Sequence, residues 1–323
     1  MNAVFAKGRR LGVIYNPRAG SSGKGGTLDA ILRVLTGTGA HVQHWPARNA
    51  SQVRELTERC LAQRVDCVIG MGGDGTLNAI GSRLVDTGVP FAALPGGTFN
   101  YFVRNLGIPN EALAAMHALL DSKVMGVSVG AVNDQVFLNN ASFGMYRRVI
   151  EERERHKSRF GRNRAVALVS GVVTALRSHP VYEVELQTGA HAHRVLSPMV
   201  FFGCNRLQMA ALSPRLAQCA EREALAVLAL LPMTRLDIVR VGARALTGTL
   251  DASDRVHTLC ADEFVVHRAG HTVRCAIDGE VRKFLLPLRV RLRRRALHVL
   301  VPRAGGAPGM EDAIMGPGSS LPR

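Results

Sequence analysis

The sequence predicts an α/β protein in two parts. The first is an N-terminal parallel sheet with helices on both faces; the second is a mainly antiparallel, β-sandwich-like domain. Three observations predict this. Short apolar runs alternate with amphipathic helical stretches over residues 1–128, glycine-rich turns follow three of those runs, and from about residue 129 the pattern changes to two-residue alternation broken by hairpin-like turns.

In chain order, residues 11–15 are a short apolar strand, 16–26 a loop and 28–35 an amphipathic helix that Gly37 and Gly39 end. Residues 42–45 make a second strand. Ser51 is placed to cap a helix over 52–63, which leads into the strand 67–71. Residues 77–85 are helical, 91–94 a strand and 99–105 a further helix, with Asn110 as the cap of a helix over 111–120. Strands this short and apolar, alternating with helices, bury both faces of a parallel sheet, whose ligands gather at the carboxyl ends of the strands.

Beyond that point, 127–132 and 135–139 flank Asn133-Asp134, a hairpin turn. A charged helical segment spans 150–177 with a break near Gly161. Strands follow at 181–187, 195–203, 224–231, 264–268, 273–277, 284–293 and 297–301, with a second helix at 235–246. The division is therefore 1–128, 129–302 and a Gly-, Pro- and Ser-rich tail, 303–323, that reads as disordered.

The 323 residues carry 41 Lys+Arg against 25 Asp+Glu, a formal charge of +16, of which +5 lies in residues 1–128 and +11 in the rest. An apolar fraction of 47% excludes wholesale disorder. Six cysteines without a C-x-x-C pair read as free thiols in a reducing compartment rather than a disulfide frame or zinc site. No apolar stretch reaches the 18 or so residues of a membrane span, so the expectation is a cytoplasmic protein. Nucleic acid is disfavoured as a partner, because aromatics make up 5% of the chain and Phe160 is the one aromatic within 149–164.

The glycine turns carry the chemistry. They are Asn16-Pro17-Arg18-Ala19-Gly20, Gly72-Gly73-Asp74-Gly75-Thr76 and Pro95-Gly96-Gly97-Thr98-Phe99-Asn100. Each ends a strand and opens a helix, so backbone N–H groups and positive helix ends converge on one crevice, an arrangement suited to polyphosphate. A Walker A loop is excluded, because Lys24 is followed by Gly25 and Arg18 stands where the upstream glycine belongs. A dinucleotide fingerprint at Gly70–Gly75 is disfavoured, since no acidic residue ends the next strand to hold a ribose.

Gly72-Gly73-Asp74-Gly75-Thr76-Leu77-Asn78, together with Asn16–Gly20, the Pro95–Asn100 turn with Arg104-Asn105-Leu106-Gly107-Ile108-Pro109, and Asp278-Gly279-Glu280, resembles the diacylglycerol kinase catalytic-domain family over about residues 11–302. That resemblance implies an ATP-binding domain at 1–128 and a lipid-substrate domain at 129–302, with ATP and magnesium as cofactors. It implies nucleotide contacts from Asn16, Pro17, Arg18, Ala19, Gly20, Gly72, Gly73, Asp74, Gly75, Thr76, Leu77, Asn78, Gly97, Thr98 and Asn100. Glu280 would be the base that deprotonates a lipid hydroxyl, and Asp278 would orient it or help hold magnesium. The chain departs from the family pattern at Ala79, Tyr101 and Ala47, and its Glu221-Arg222-Glu223-Ala224 replaces an acidic turn that in many relatives contributes to a structural magnesium site, so no metal residue is assigned.

The expected activity is ATP-dependent phosphorylation of a diacylglycerol-like membrane lipid. The alternatives are an NAD kinase-like enzyme, whose Asn-Glu dipeptide is here Asn139-Asn140, and a non-catalytic nucleotide- and membrane-binding pseudokinase. Basic residues in 147–164 and 291–295 are expected to meet an anionic membrane, making the protein peripheral to its inner face; a homodimer is compatible with the sequence.

Overall fold

The structure is a computed structural model that describes residues 3–17, 24–144 and 181–303. Strands β1 (Arg10–Tyr15), β2 (His41–Pro46), β3 (Cys67–Gly72) and β4 (Phe91–Pro95) run parallel in the order β2-β1-β3-β4. Every position of β3 and β4 is buried, as continuous apolar runs covered on both faces should be. Helices α1 (Lys24–Gly37) and α5 (Ala112–Leu120) pack together, as do α2 (Ala50–Ala62) and α3 (Asp74–Leu84), while α4 (Tyr101–Asn105) follows β4. The chain leaves β1 for β2 on one side and returns to β3 on the other. That reversal opens a crevice at the carboxyl ends of β1 and β3.

The sheet continues through a long ribbon, β5 (Ser122–Val132) and β16 (Leu288–Pro302). Near its end β16 lies parallel to β4 (Val299 beside Phe91), and Leu297, Val299, Leu300 and Val301 complete the N-terminal core. Its first half pairs instead with β13 (Glu263–Arg268), and the register shifts between Arg293 and Leu297. The expected boundary at residue 128 therefore falls inside β5, and β16, the last strand among the described residues, belongs to both halves. From β13 the sheet runs on through β8 (Tyr182–Thr188) and β9 (His191–Ser197), while β6 (Gln135–Phe137) pairs with β5.

A separate six-stranded antiparallel sheet has the order β12 (Val256–Ala261), β11 (Leu225–Leu230), β10 (Met199–Gly203), β7 (Asn140–Gly144), β14 (Thr272–Ile277), β15 (Glu280–Leu285). Its inner face packs on the far part of the first sheet: Phe143, Phe202, Val227 and Ile277 share a core with Val184, Phe264 and Val290. Its outer face, through Phe201, Ala226 and Leu228, is covered by α6 (Arg206–Ala210), α7 (Pro214–Glu221) and α8 (Arg235–Thr247). The two-part fold class is as expected, with this helical layer added. Among the described residues no helix is long and apolar enough to cross a membrane.

Several local expectations are corrected. The run 195–203 is two strands in different sheets: Pro198 interrupts it, and Ser197 Oγ satisfies the bend by donating to Met199 O (2.7 Å). Asn49, not Ser51, caps α2, and Glu111, not Asn110, caps α5; Asn110 Oδ1 instead accepts a bond from Asn100. Cys219 and Cys260 form a disulfide that joins α7 to β12, so two of the six cysteines are not free thiols. The expected helix 150–177 and the tail 304–323 lie outside the described residues.

The second and third glycine turns touch backbone to backbone. A Cβ on Gly97 would stand 2.7 Å from Gly73 Cα, and one on Gly96 would stand 2.9 Å from Gly72 Cα. Gly97→Ala should therefore cost about 2 kcal/mol in urea unfolding, because backbone has to give way. Gly75→Ala, whose Cβ meets nothing within 4 Å, should leave stability unchanged or slightly raised. Equal effects of the two substitutions would contradict this contact.

Candidate functional site

The crevice is built from strand ends. Asn16 follows β1 and donates its backbone N–H to Met71 O (3.0 Å), tying the first turn to the second. β3 ends at Gly72, Gly73 is the N-cap of α3, and Asp74 through Asn78 form the first turns of that helix. The third turn closes on itself. Asn100 sits at φ 51, accepts Gly97 N–H on Oδ1 (2.8 Å), and donates through Nδ2 to Gly97 O (3.0 Å) and Asn110 Oδ1 (2.8 Å). Its side chain thus shapes the turn, and exposed Thr98 and the backbone of Gly97 are left toward solvent. Pro17 is the last described residue of the first turn; Arg18, Ala19 and Gly20 lie outside the described residues.

Asp278 and Gly279 are the central residues of a two-residue hairpin between β14 and β15, with φ of 44° and 92°. Both positive angles match the turn type that Asp-Gly favours. The turn drives the Asp278 carboxylate into the junction between the two halves. There it accepts four bonds: Leu138 N (2.7 Å) and Asn78 Nδ2 (2.7 Å) on Oδ2, Asn139 N (3.0 Å) and Asn140 N (2.8 Å) on Oδ1. Burial, with a smaller push from the Asp74 charge, raises this carboxyl to about 6, although the three backbone N–H groups favour the anion. All four of its partners are N–H donors, which is the surrounding of a carboxylate anion. With four donors already on its two oxygens, it is placed to hold the junction together rather than to take a substrate proton.

Asp74 stands on the other side of the same junction. Its Oδ1 accepts Phe102 N (3.1 Å) and Asn139 Nδ2 (3.4 Å), while Asn139 Oδ1 accepts Asn205 Nδ2 (2.7 Å), which also donates to Tyr101 O (3.1 Å). Asn140 Nδ2 reaches Gln208 Oε1 (3.0 Å), and Leu207 N reaches Asn105 Oδ1 (3.0 Å). Asn139 and Asn205 are buried, so each of these bonds is made in place of water. Cys204 lies under the cluster, where burial and the Asp278 charge raise its thiol.

Glu280 occupies the next position on β15 and is differently placed. Its side chain is 42% exposed, and Oε2 accepts Arg282 Nη2 (2.9 Å), with Arg54 Nη1 of α2 at 4.0 Å. Arg282 also bonds Gln135. Glu280, Arg54, Arg282, Gln135, Ser82 and Asn78 line one cleft of about 200 Å³ between the two halves. The Glu280 carboxylate, paired with Arg282, therefore shares a cleft with the helix that the second glycine turn opens.

The structure thus brings together Asn16, Gly72, Gly73, Asp74, Gly75, Thr76, Gly97 and Thr98 at the strand ends, with Asn78, Asp278 and Glu280 at the junction. Leu77 does not join them: the helical period turns it inward, where it is fully buried in the core. Asn78 likewise points to Asp278 and Val136 O (3.2 Å) rather than to the strand ends. Sequence reasoning missed Asn205, Gln208 and the two arginines beside Glu280, Arg54 and Arg282, and it weighed Asn139 only within the Asn139-Asn140 dipeptide. Asn205 could have been found as the N-cap of α6. In the basic run 291–295, Arg293 pairs with Asp86 and Arg294 with Asp262 (2.8 Å); the run 147–164 lies outside the described residues. Glu221 pairs with Arg206 (3.1 Å) and Glu223 accepts Ser128 Oγ (2.8 Å). Among the described residues no group of three His, Cys, Asp or Glu side chains could hold a metal.

Residues 10–132 match the family model of the diacylglycerol kinase catalytic domain. A diacylglycerol kinase of Staphylococcus haemolyticus is 30% identical over 142 residues, 43% of each chain, and one of Staphylococcus saprophyticus is 28% identical over 146 residues, 45% of this chain and 48% of that one. The chain thus matches less than half the length of these curated relatives. In fold, it is similar to a crystal structure of a candidate diacylglycerol kinase from Bacillus anthracis. That likeness has a TM-score of 0.73 at 19% identity and covers 92% of this chain and 98% of the other.

The two carboxylates of the Asp-Gly-Glu turn should separate in unfolding experiments. Asp278→Asn turns an amide N–H₂ onto buried donors and should lose about 3 kcal/mol. Glu280→Gln should stay within about 0.5 kcal/mol of the parent. A stable Asp278→Asn variant would remove the anchoring role.

Proposed function

We propose that this chain, whose residues 10–132 belong to the diacylglycerol kinase catalytic-domain family, is a lipid kinase that transfers the γ-phosphoryl group of ATP to the hydroxyl of a diacylglycerol-like membrane lipid. The observation that carries this reading is the position of Glu280, a half-exposed carboxylate in the cleft that also contains Asn78 of the second glycine turn. Phosphoryl transfer asks mainly for positioning, neutralisation of charge and a base for the attacking oxygen.

Each requirement has a candidate among the residues present. The turns at Gly72-Gly73 and Gly96-Gly97 touch backbone to backbone, and Gly73 is the N-cap of α3, so the positive start of that helix would meet the triphosphate at the strand ends. Asp74, anchored through Oδ1, would supply the protein carboxylate for magnesium. Magnesium commonly combines one or two carboxylates with substrate phosphates, which fits a site without a metal cage, and when bound it would neutralise the charge of the triphosphate. Glu280 would take the proton of the lipid hydroxyl, with Arg282 and Arg54 holding its carboxylate toward the cleft. Asp278 would keep the two halves in register while that happens.

The test is incubation with γ-labelled ATP and a total lipid extract, followed by chromatography. A labelled lipid is expected from the parent chain. Glu280→Gln should reduce that product about 10³-fold or more while ATP binding persists. Label appearing only on NAD, or on nothing, would contradict the reading, as would full activity of Glu280→Gln.

A further inference from the structure

Helix α8 carries apolar residues on two opposite faces. Its inner face packs through Val241 and Ala245 into the core beneath the second sheet. Its outer face presents Leu236, Val239, Ala243 and Leu246 to solvent, at spacings of three, four and three residues that form one stripe. Leu236, Val239 and Leu246 are 58, 56 and 66% exposed, and they are three of the eight large hydrophobic side chains exposed among the described residues. Scattered exposed leucines need no explanation, but a stripe on one helix does.

The charges beside the stripe select its partner. Exposed Arg240 and half-exposed Arg244 lie along one flank. The helix has one acidic residue, Asp237, and its carboxylate is already engaged: it accepts Thr234 N (3.0 Å) and Oγ1 (2.9 Å) in a capping box, with Arg255 Nε at 3.4 Å. An apolar ridge flanked by arginines, with no acidic group free on it, is complementary to an anionic bilayer surface. Ahead of the helix, Leu196, Leu231 and Pro232 line an open trough together with His193, Arg194, Arg255 and His257.

The ridge stands close to the candidate site. At the end of α8, Gly248 lies against Ala210 and Ala211, and Leu250 N donates to Leu212 O (3.1 Å). Ala210 ends α6, whose N-cap Asn205 bonds the Asn139 that holds Asp74. One five-residue helix, about 7 Å long, therefore separates the Leu246 end of the ridge from the junction cluster.

We propose that α8 docks this protein on an anionic lipid bilayer, with Leu236, Val239 and Leu246 entering the boundary between headgroups and acyl chains and Arg240 and Arg244 meeting headgroup phosphates. The choice of a bilayer rests in part on the lipid-kinase reading, but the test needs no catalysis. The full chain is sedimented, without nucleotide, with phosphatidylcholine vesicles that contain or lack phosphatidylglycerol. The parent should bind the anionic vesicles and release them at high salt. Leu236→Asp/Leu246→Asp and Arg240→Glu/Arg244→Glu should each weaken binding about tenfold or more. Leu285→Asp, which alters an equally exposed leucine away from the ridge, should bind like the parent. The Leu236→Asp/Leu246→Asp chain should still phosphorylate a short-chain diacylglycerol in solution at the parent rate. Parent-like vesicle binding by both double variants, or no binding by the parent, would overturn the proposal. So would a parent dimer that the leucine substitutions dissociate while vesicle binding is unchanged. Docking without any lipid phosphorylation would leave the ridge assignment standing and remove the kinase reading instead.

Discussion

The Asp278 carboxylate is the fixed point of this structure. A two-residue turn at the tip of β14 and β15 carries it into the junction, where it gathers three consecutive backbone N–H groups of residues 138–140 and the side chain of Asn78. Those amides belong to the segment leading from β6 into β7, and Asn78 belongs to the helix opened by the second glycine turn. One buried anion thus ties the second sheet, the hairpin that leaves the first sheet, and the crevice helix to a common frame. Removing any donor would leave a charge short of compensation in a place water does not reach, and for that reason few alternative arrangements of the two halves are affordable.

The rest of the site follows from this frame. The glycine turns are held in contact with each other by the absence of Cβ atoms, and Asp74 is steadied from the second half through Asn139 and Asn205. Glu280, two residues beyond Asp278, is placed by the same turn but left in the open cleft. The division of labour between two carboxylates in one Asp-Gly-Glu sequence is therefore a matter of surroundings: one is enclosed by four N–H donors, the other borders a cavity with arginines at hand. Meanwhile the β5–β16 ribbon runs through both halves with one register shift, so they are joined by strand pairing as well as by side chains.

Much of this was legible in the sequence wherever local chemistry decides the outcome. Strand–glycine–helix punctuation marked β1, β3 and β4 with their turns, and Asp278-Gly279 announced a tight hairpin. What could not be read was long-range. Nothing in residues 297–301 says that the strand they form returns to lie beside β4, because the pairing partner is more than 200 residues away. Asn139 and Asn205 acquire meaning only when β6, β7 and α6 converge. The directions of the Asn78 and Leu77 side chains could not be read for a related reason. A motif names adjacent residues, but the helical period sends one into the core and the other across to the second half. The Pro198 bend, which sends one apolar run into two sheets, shows the same limit for strands.

The central claim is that Asp278 and Asn78 lock the two halves together, and a double-mutant cycle measures it directly. Stability is determined by urea unfolding for the parent, Asn78→Ala, Asp278→Ala and the double variant. A direct, buried charge-assisted bond predicts a coupling energy of about 2 kcal/mol, with the double variant little worse than Asp278→Ala alone. Strictly additive losses would mean that the two side chains act independently, and would contradict the account.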